Sequence, residues 1–266
     1  MLKDHDDFEY IILDGHQLRE HPCREPLLKL VNKAFYEGGQ AVFSGKLSRF
    51  ESLEELLKSV DDYARCCILF QKTPGQTTSD WTDPVATAVL RPYREEIVGL
   101  PDIKPQPVDA SGNVLTDRKD TDAKPEYRAQ PGPFNGSKGD KRDILSIAVW
   151  EPVSVAVKRD PSVLRKGLAT RCLALLEADL CSRVKEAKLN TLRQDADGAG
   201  HARCEGDPLT IRLRATWEIN GEYWSRRGFT PVEVRRVPAG VWGAKVPFRL
   251  MTMTKRVSCP SDTDDA

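Results

Sequence analysis

Residues 143–185 commit this chain to layers of both sheet and helix. The run "DILSIAVWEPVSVAV" (143–157) is apolar and long enough for a central strand. After a short turn, Leu168, Cys172, Leu175, Leu176, Leu180 and Val184 fall on one stripe, which predicts an amphipathic helix from about Lys166 to Lys185. A buried strand that feeds a helix within a few residues must bury the helix stripe on a sheet, so all-α and all-β folds are excluded. Pro152 interrupts the strand. It cannot donate a ladder hydrogen bond, so the strand is bulged, split or at an edge there.

The flanking segments extend this pattern. "FEYIILDG" (8–15) reads as a strand that ends at Asp14-Gly15, and "EPLLKLVNKAFYEGG" as a helix with Leu27, Leu28, Val31, Ala34 and Phe35 on one face. A second helix is expected from about Glu51 to Ala64, with Leu53, Leu56, Leu57, Val60 and Ala64 inward. Its capping box is either Ser48 with Glu51 or Ser52 with Glu55. "RCCILFQ" (65–71) and "PVATAVLRPY" (84–93) predict a hairpin. From about Gly99 to Asp143 the chain is rich in Pro, Gly and Asp and no period lasts, which reads as an insertion. After a polar loop (188–207), "LTIRLRATW" is a strand, "NGEYWSRRGF" a short helix, and "FTPVEVRRV" and "PFRLMTMTKRV" the last strands. The order β-α-α-β-β-(insertion)-β-α-β-α-β-β predicts one α/β domain over 1–257, a mixed central sheet flanked by helices. The long insertion (99–143) falls between the third and fourth strands, and 258–266 form a disordered acidic tail.

Charge narrows the function. Forty basic and 40 acidic residues cancel, so no long-range field draws the chain to nucleic acid or an anionic membrane. No apolar window approaches a membrane span and no secretory signal is legible. The seven cysteines are scattered, without a CxxC pair. They read as mostly structural thiols of a reducing compartment, the cytoplasm or the nucleus. His201 and Cys204 alone are a weak zinc signal, and no metal is expected.

The turn "LRKGLA" (164–169) has its own chemistry. A helix start exposes backbone N–H groups and the positive end of a dipole, which suit a phosphate. Gly167 lets the backbone approach such an anion, and Arg165 and Lys166 add charge, although alone they also suit a solvated helix start.

Two motifs in this order resemble the GNAT superfamily of acetyl-CoA-dependent N-acetyltransferases. "LRKGLA" is similar to its Q/R-x-x-G-x-G/A turn, with Gly167 and Ala169 matched, Thr170 following and Pro161 upstream. "EYWSRRGF" is similar to its "fYeklGF" segment, with Gly228-Phe229 matched. Leu164 departs from the usual Gln or Arg, and the loop before the turn is slightly longer than usual. The insertion and "WEINGEYWSRRGF" resemble fungal-type members that act on small molecules.

The resemblance implies transfer of an acetyl group from acetyl-CoA, as co-substrate, to a primary amine. It implies a central strand that splays from its neighbour, with Val155, Ala156 and Val157 along the pantetheine. Arg165, Lys166, Gly167, Leu168, Ala169 and Thr170 then lie at the pyrophosphate, and Trp224 lies beside the cofactor. Glu151 is the candidate base, with pairing to an arginine as its other reading. Trp224 stands where the family has its acid tyrosine and has no titratable proton, so either the register shifts to bring in Tyr223 or the thiolate leaves unaided. Tyr36, Glu37 and Trp242 are the candidate acceptor contacts. A small-molecule amine is expected ahead of a protein substrate, with no nucleic-acid or membrane partner and a monomer or homodimer. The alternative is a catalytically silent CoA-binding or regulatory protein of the same fold.

Overall fold

The structure, a computed structural model, describes residues 7–44, 48–61, 63–72, 81–95, 100–101, 103–115, 144–195 and 209–259, without the side chains of 192–195. His201 and Cys204, most of the 99–143 insertion and the tail beyond 259 lie outside the described residues. The chain order is β1 (Phe8–Asp14), α1 (Gly15–Glu20), α2 (Arg24–Gly39), α3 (Leu53–Ser59), β2 (Arg65–Gln71), β3 (Pro84–Pro92) and β4 (Gln106–Pro107). Then come β5 (Val149–Val157), α4 (Leu168–Asp195), β6 (Leu209–Thr216), α5 (Glu222–Ser225), β7 (Thr230–Val237) and β8 (Phe248–Val257). One mixed sheet holds all of these strands in the order β1-β2-β3-β5-β6-β8-β7-β4. Only the β5–β6 contact is parallel among them.

Each sheet face carries its own core. On one, α4 buries Leu168, Cys172, Leu176 and Leu180 against Trp150, Leu69 and Ile211. On the other, α1, α2 and α3 bury Leu18, Leu27 and Leu56 against Ile68, Phe70 and Ala156. Each such leucine contributes about 1.5–3 kcal/mol by leaving water. The two faces explain why β2 and β3 read as nearly continuous apolar runs, since both their sides are covered.

Several expectations need correction. The strand at 8–14 ends at Asp14 as expected, but a short helix that was not expected follows: Asp14 caps α1, accepting from the Gln17 N–H while Gln17 accepts from the Asp14 N–H. In α2 the inward position is Leu30 rather than Phe35, which is exposed. Ser52 caps α3, but Glu55 reaches back to the Glu51 N–H, not to its own cap. The helix expected to stop near 185 runs on to Asp195, because Ala187, Lys188 and Leu189 are good helix formers and no Gly or Pro intervenes. The insertion is not wholly irregular: Gln106 and Pro107 pair with β7 at the sheet edge, and Val108 is buried. Cys181 of α4 and Cys259 after β8 form a disulfide, a pairing not expected from the reading of mostly structural thiols in a reducing compartment. Cys23, Cys66, Cys67 and Cys172 are free and buried. Among the described residues no helix is long and apolar enough to cross a membrane.

The Asn32 side chain ties α2 to the segment ahead of α3. It donates to the Phe50 carbonyl at 2.9 Å and accepts from the Phe50 N–H at 2.9 Å. Asn32→Ala removes both bonds and is expected to lower stability by about 1–2 kcal/mol in urea denaturation. No change in midpoint would mean that water replaces the side chain.

Candidate active site

The sheet opens at one place. β5 stays paired with β3 along its whole length, yet it pairs with β6 only at Val149–Thr210 and Trp150–Ile211. Beyond Trp150 the two parallel strands diverge, and the β5 edge facing β6 has no strand partner among the described residues, so its backbone groups can bond a ligand. On the β3 side the register shifts between Val89 and Leu90, opposite Ser154 and Pro152, which leaves Val153 out of step. The bulge expected from Pro152 is present, and so is the splay. Val155 and Val157 are half-buried on the α4 face, and Ala156 is buried against the α2 face.

The turn before α4 follows this strand. Asp160 accepts from the Ser162 N–H and hydroxyl, and its carbonyl accepts from the Val163 and Leu164 N–H groups. Val163 is buried and anchors the turn, whereas Leu164 is exposed. Arg165 and Gly167 both have left-handed backbone, at φ 62° and 75°. For arginine this costs about 1–2 kcal/mol, the kind of strain that gathers at functional turns. The first helical bond of α4 runs from the Arg171 N–H to the Gly167 carbonyl, which makes Gly167 a cap without a side chain. The Leu168, Ala169 and Thr170 N–H groups therefore precede the first carbonyl they could reach within the helix. A Cβ built on Gly167 would meet nothing within 4 Å, so the space before these groups is open. Lys166 lies 5.2 Å from the Phe8 ring centroid, and the Leu168 side chain is buried, leaving only its backbone for a ligand.

The second motif is joined to this turn by a residue that the sequence did not single out. Arg227 donates from Nε to Thr170 Oγ1 at 2.9 Å and from Nη1 to the Tyr223 carbonyl at 2.9 Å. Its guanidinium stacks 3.4 Å from the Tyr223 ring centroid. A π-helical turn over Trp217–Gly221 precedes α5, with the Trp217 ring packed where any side chain at residue 221 would go. Such a turn adds a residue to the helical period. Trp224 is buried, its ring edge-on to Phe229 at 5.3 Å and to Tyr223 at 5.0 Å. The Tyr223 Oη is buried and has no hydrogen-bond partner among the described residues.

Glu151 is buried and fully engaged. Arg91 donates from Nε to Oε1 at 2.8 Å, and Arg214 donates from Nη2 to Oε2 at 3.0 Å. Arg91 also donates to the Ser59 carbonyl, and Arg214 to the carbonyls of Arg94 and Glu95. Tyr93 lies beside them, 5.1 Å from the Arg214 guanidinium, and burial raises its pKa although Arg214 and Arg212 oppose the shift. The pairing of Glu151 with an arginine is thus the observed arrangement, with two arginines rather than one. Arg91 and Arg214 follow apolar strand positions in the sequence, and only the fold shows that they converge.

Of the acceptor candidates, Tyr36 is exposed at the end of α2 and Glu37 has one buried carboxylate oxygen without a partner among the described residues. Trp242 has a left-handed φ of 51° and lies against Phe248 at 6.0 Å. The segments that follow α2 and join β7 to β8 are stitched together: Ser44 N–H donates to the Gly243 carbonyl at 2.8 Å, and Lys245 N–H to the Val42 carbonyl at 2.8 Å.

The chain matches no family model and no curated protein. Solved structures similar to it include the ribosomal-protein-S18-alanine N-acetyltransferase from Escherichia coli, at 13% identity over 96% of this chain and 97% of that one, with a TM-score of 0.42. YncA, a putative acetyltransferase from Salmonella typhimurium solved with acetyl-CoA, is 10% identical over 96% and 98%, with a TM-score of 0.45. A mutant of the spermidine N-acetyltransferase SpeG from Vibrio cholerae is 12% identical over 95% and 95%, with a TM-score of 0.39. Likenesses at these levels carry no argument about activity or acceptor.

Proposed function

We propose that this chain is an acetyl-CoA-dependent N-acetyltransferase that acts on the primary amine of a small molecule. The observation that carries the reading is the wedge between β5 and β6, with an uncapped, cation-flanked helix start next in the chain. Open space at Gly167, exposed N–H groups at α4 and the free β5 edge suit a pyrophosphate with an extended arm. The backbone of Gly167 to Thr170 holds the phosphates, with Arg165 and Lys166 adding charge. The edge at Val155–Val157 bonds the pantetheine arm, and a backbone N–H there polarises the thioester carbonyl. Acetyl-CoA, when bound, supplies the activated acetyl thioester.

With acetyl-CoA bound, a neutral acceptor amine would bond through nitrogen to the acetyl carbon as the C–S bond breaks. Tyr223 Oη would give its proton to the departing thiolate and regain one through water from the acetylated nitrogen. Glu151 is assigned a positioning role, since both its oxygens already accept from guanidinium groups. That same engagement is what favours the second reading, a CoA-binding protein without turnover.

Thermal shift with acetyl-CoA tests the proposal. Ligand at a hundredfold excess over Kd stabilises by about 2.7 kcal/mol, roughly 5 °C for a chain of this size. Gly167→Asp places a carboxylate where the phosphate belongs and is expected to fold, at a cost of about 1–2 kcal/mol for the left-handed position, without the shift. No shift in the unsubstituted protein removes the reading. A shift without CoA release in the presence of amines selects the silent alternative.

A further inference from the structure

Beside the β5 bulge lies a cation that the site so far described does not use. The Arg49 guanidinium is 5.4 Å from the Phe35 ring centroid and 5.5 Å from that of Phe50. Its Nη2 lies 3.4 Å from the carbonyl of Val153, the residue out of step in β5. Two rings and the Val153 carbonyl thus hold a planar fork beside the β5 bulge, and Arg49 is exposed.

Arg49 senses Arg91, Arg214, Glu151 and Glu55. Arg91 and Arg214 are engaged by the two oxygens of Glu151, and Glu55 Oε2 accepts from the Glu51 N–H. Arg49 forms no ion pair among the described residues, whereas Arg91 and Arg214 share the Glu151 carboxylate. An anion at this point would pair with a guanidinium that no carboxylate of the described residues engages. A second cation, as in a polyamine, would be repelled.

We propose that Arg49 binds the carboxylate of an acceptor that carries amine and carboxylate in one small molecule, an amino acid or a short analogue. This rests on the acetyltransferase reading for the fate of the amine, but not for the binding of the carboxylate. The planar fork suits a carboxylate because two parallel N–H···O bonds fit it, and one such contact is worth about 10- to 100-fold in affinity. The carboxylate then fixes the amine a few bonds away, beside the strand edge assigned to the thioester.

Two measurements test this on the full chain. CoA release from acetyl-CoA is followed with matched pairs: lysine and cadaverine, β-alanine and ethylamine. Binding of the same amino acids without acetyl-CoA is followed by ligand-detected NMR. The preference in kcat/KM for the carboxylate-bearing partner is expected to be about 10- to 100-fold, to collapse toward one in Arg49→Gln, and to be partly kept in Arg49→Lys. A merely structural role for Arg49 lowers both members of a pair and leaves the ratio intact, which overturns the proposal. Turnover of both members alike by the unsubstituted protein also overturns it and leaves the acetyltransferase reading standing. Carboxylate binding that is lost in Arg49→Gln, with no turnover of any amine, supports the proposal and removes the reading. Neither binding nor preference overturns it.

Discussion

Glu151→Ala is expected to destabilise the protein by about 3–5 kcal/mol, because it strands two guanidinium groups in the interior. The side chains of Arg91 and Arg214 are only 14% and 13% exposed, so water cannot replace the lost carboxylate well. Their remaining bonds to the carbonyls of Ser59, Arg94 and Glu95 satisfy donors but supply no countercharge. Urea denaturation reads the loss, and a value below about 1 kcal/mol would mean that the triad behaves like an exposed pair. Glu151→Gln separates structure from chemistry, since the amide keeps an acceptor oxygen for one arginine. With Glu151 in a positioning role, the acidic limb of the pH profile of kcat/KM survives in Glu151→Gln. Disappearance of that limb would make Glu151 the base after all.

Trp150→Ala is expected to cost a similar amount, about 3–5 kcal/mol, by emptying a cavity at the point where the sheet begins to open. Trp150 is fully buried, and it is the last residue of β5 that pairs with β6. Its Nε1–H donates to the Ile147 carbonyl at 3.3 Å, which braces the approach to the strand. Trp150→Phe retains most of the volume and loses that bond, so its expected cost is near 1 kcal/mol. Equal losses for the two variants would mean that the hydrogen bond, not the packing, holds the apex of the wedge. Thermal unfolding of both decides the point.

What the sequence made legible was local. The strands at 8–14, 65–71 and 84–92 follow from β-branched and apolar runs, and the pairing of the last two from adjacency. The break at Pro152 was legible because proline cannot donate to a ladder, and the structure makes it a bulge. The site divides along the same line. The turn at Arg165–Gly167 and the Gly228-Phe229 segment lie in continuous stretches and could be read as motifs. The Arg91–Glu151–Arg214 triad and the Arg227–Thr170 bond join residues 57 to 63 positions apart, and no local period encodes such convergence. The π-helical turn over 217–221 has a non-standard period that ordinary helical spacing does not anticipate. The disulfide likewise pairs residues 78 positions apart, and spacing alone could not choose them.

The narrow junction between β5 and β6 is also a seam in the folding of the sheet. On one side of it lie β1, β2, β3 and β5, and on the other β6, β8, β7 and β4, with two residue pairs of ladder between them. Backbone cooperativity is therefore interrupted in the middle of the molecule, and amide hydrogens on the two sides can exchange through separate openings. The Cys181–Cys259 bond runs from α4, packed on the first group, to the end of β8 in the second, and keeps the halves tethered when either one opens. A ligand lying in the wedge bonds one half and fills space against the other. Its occupancy would make two exchange units behave as one.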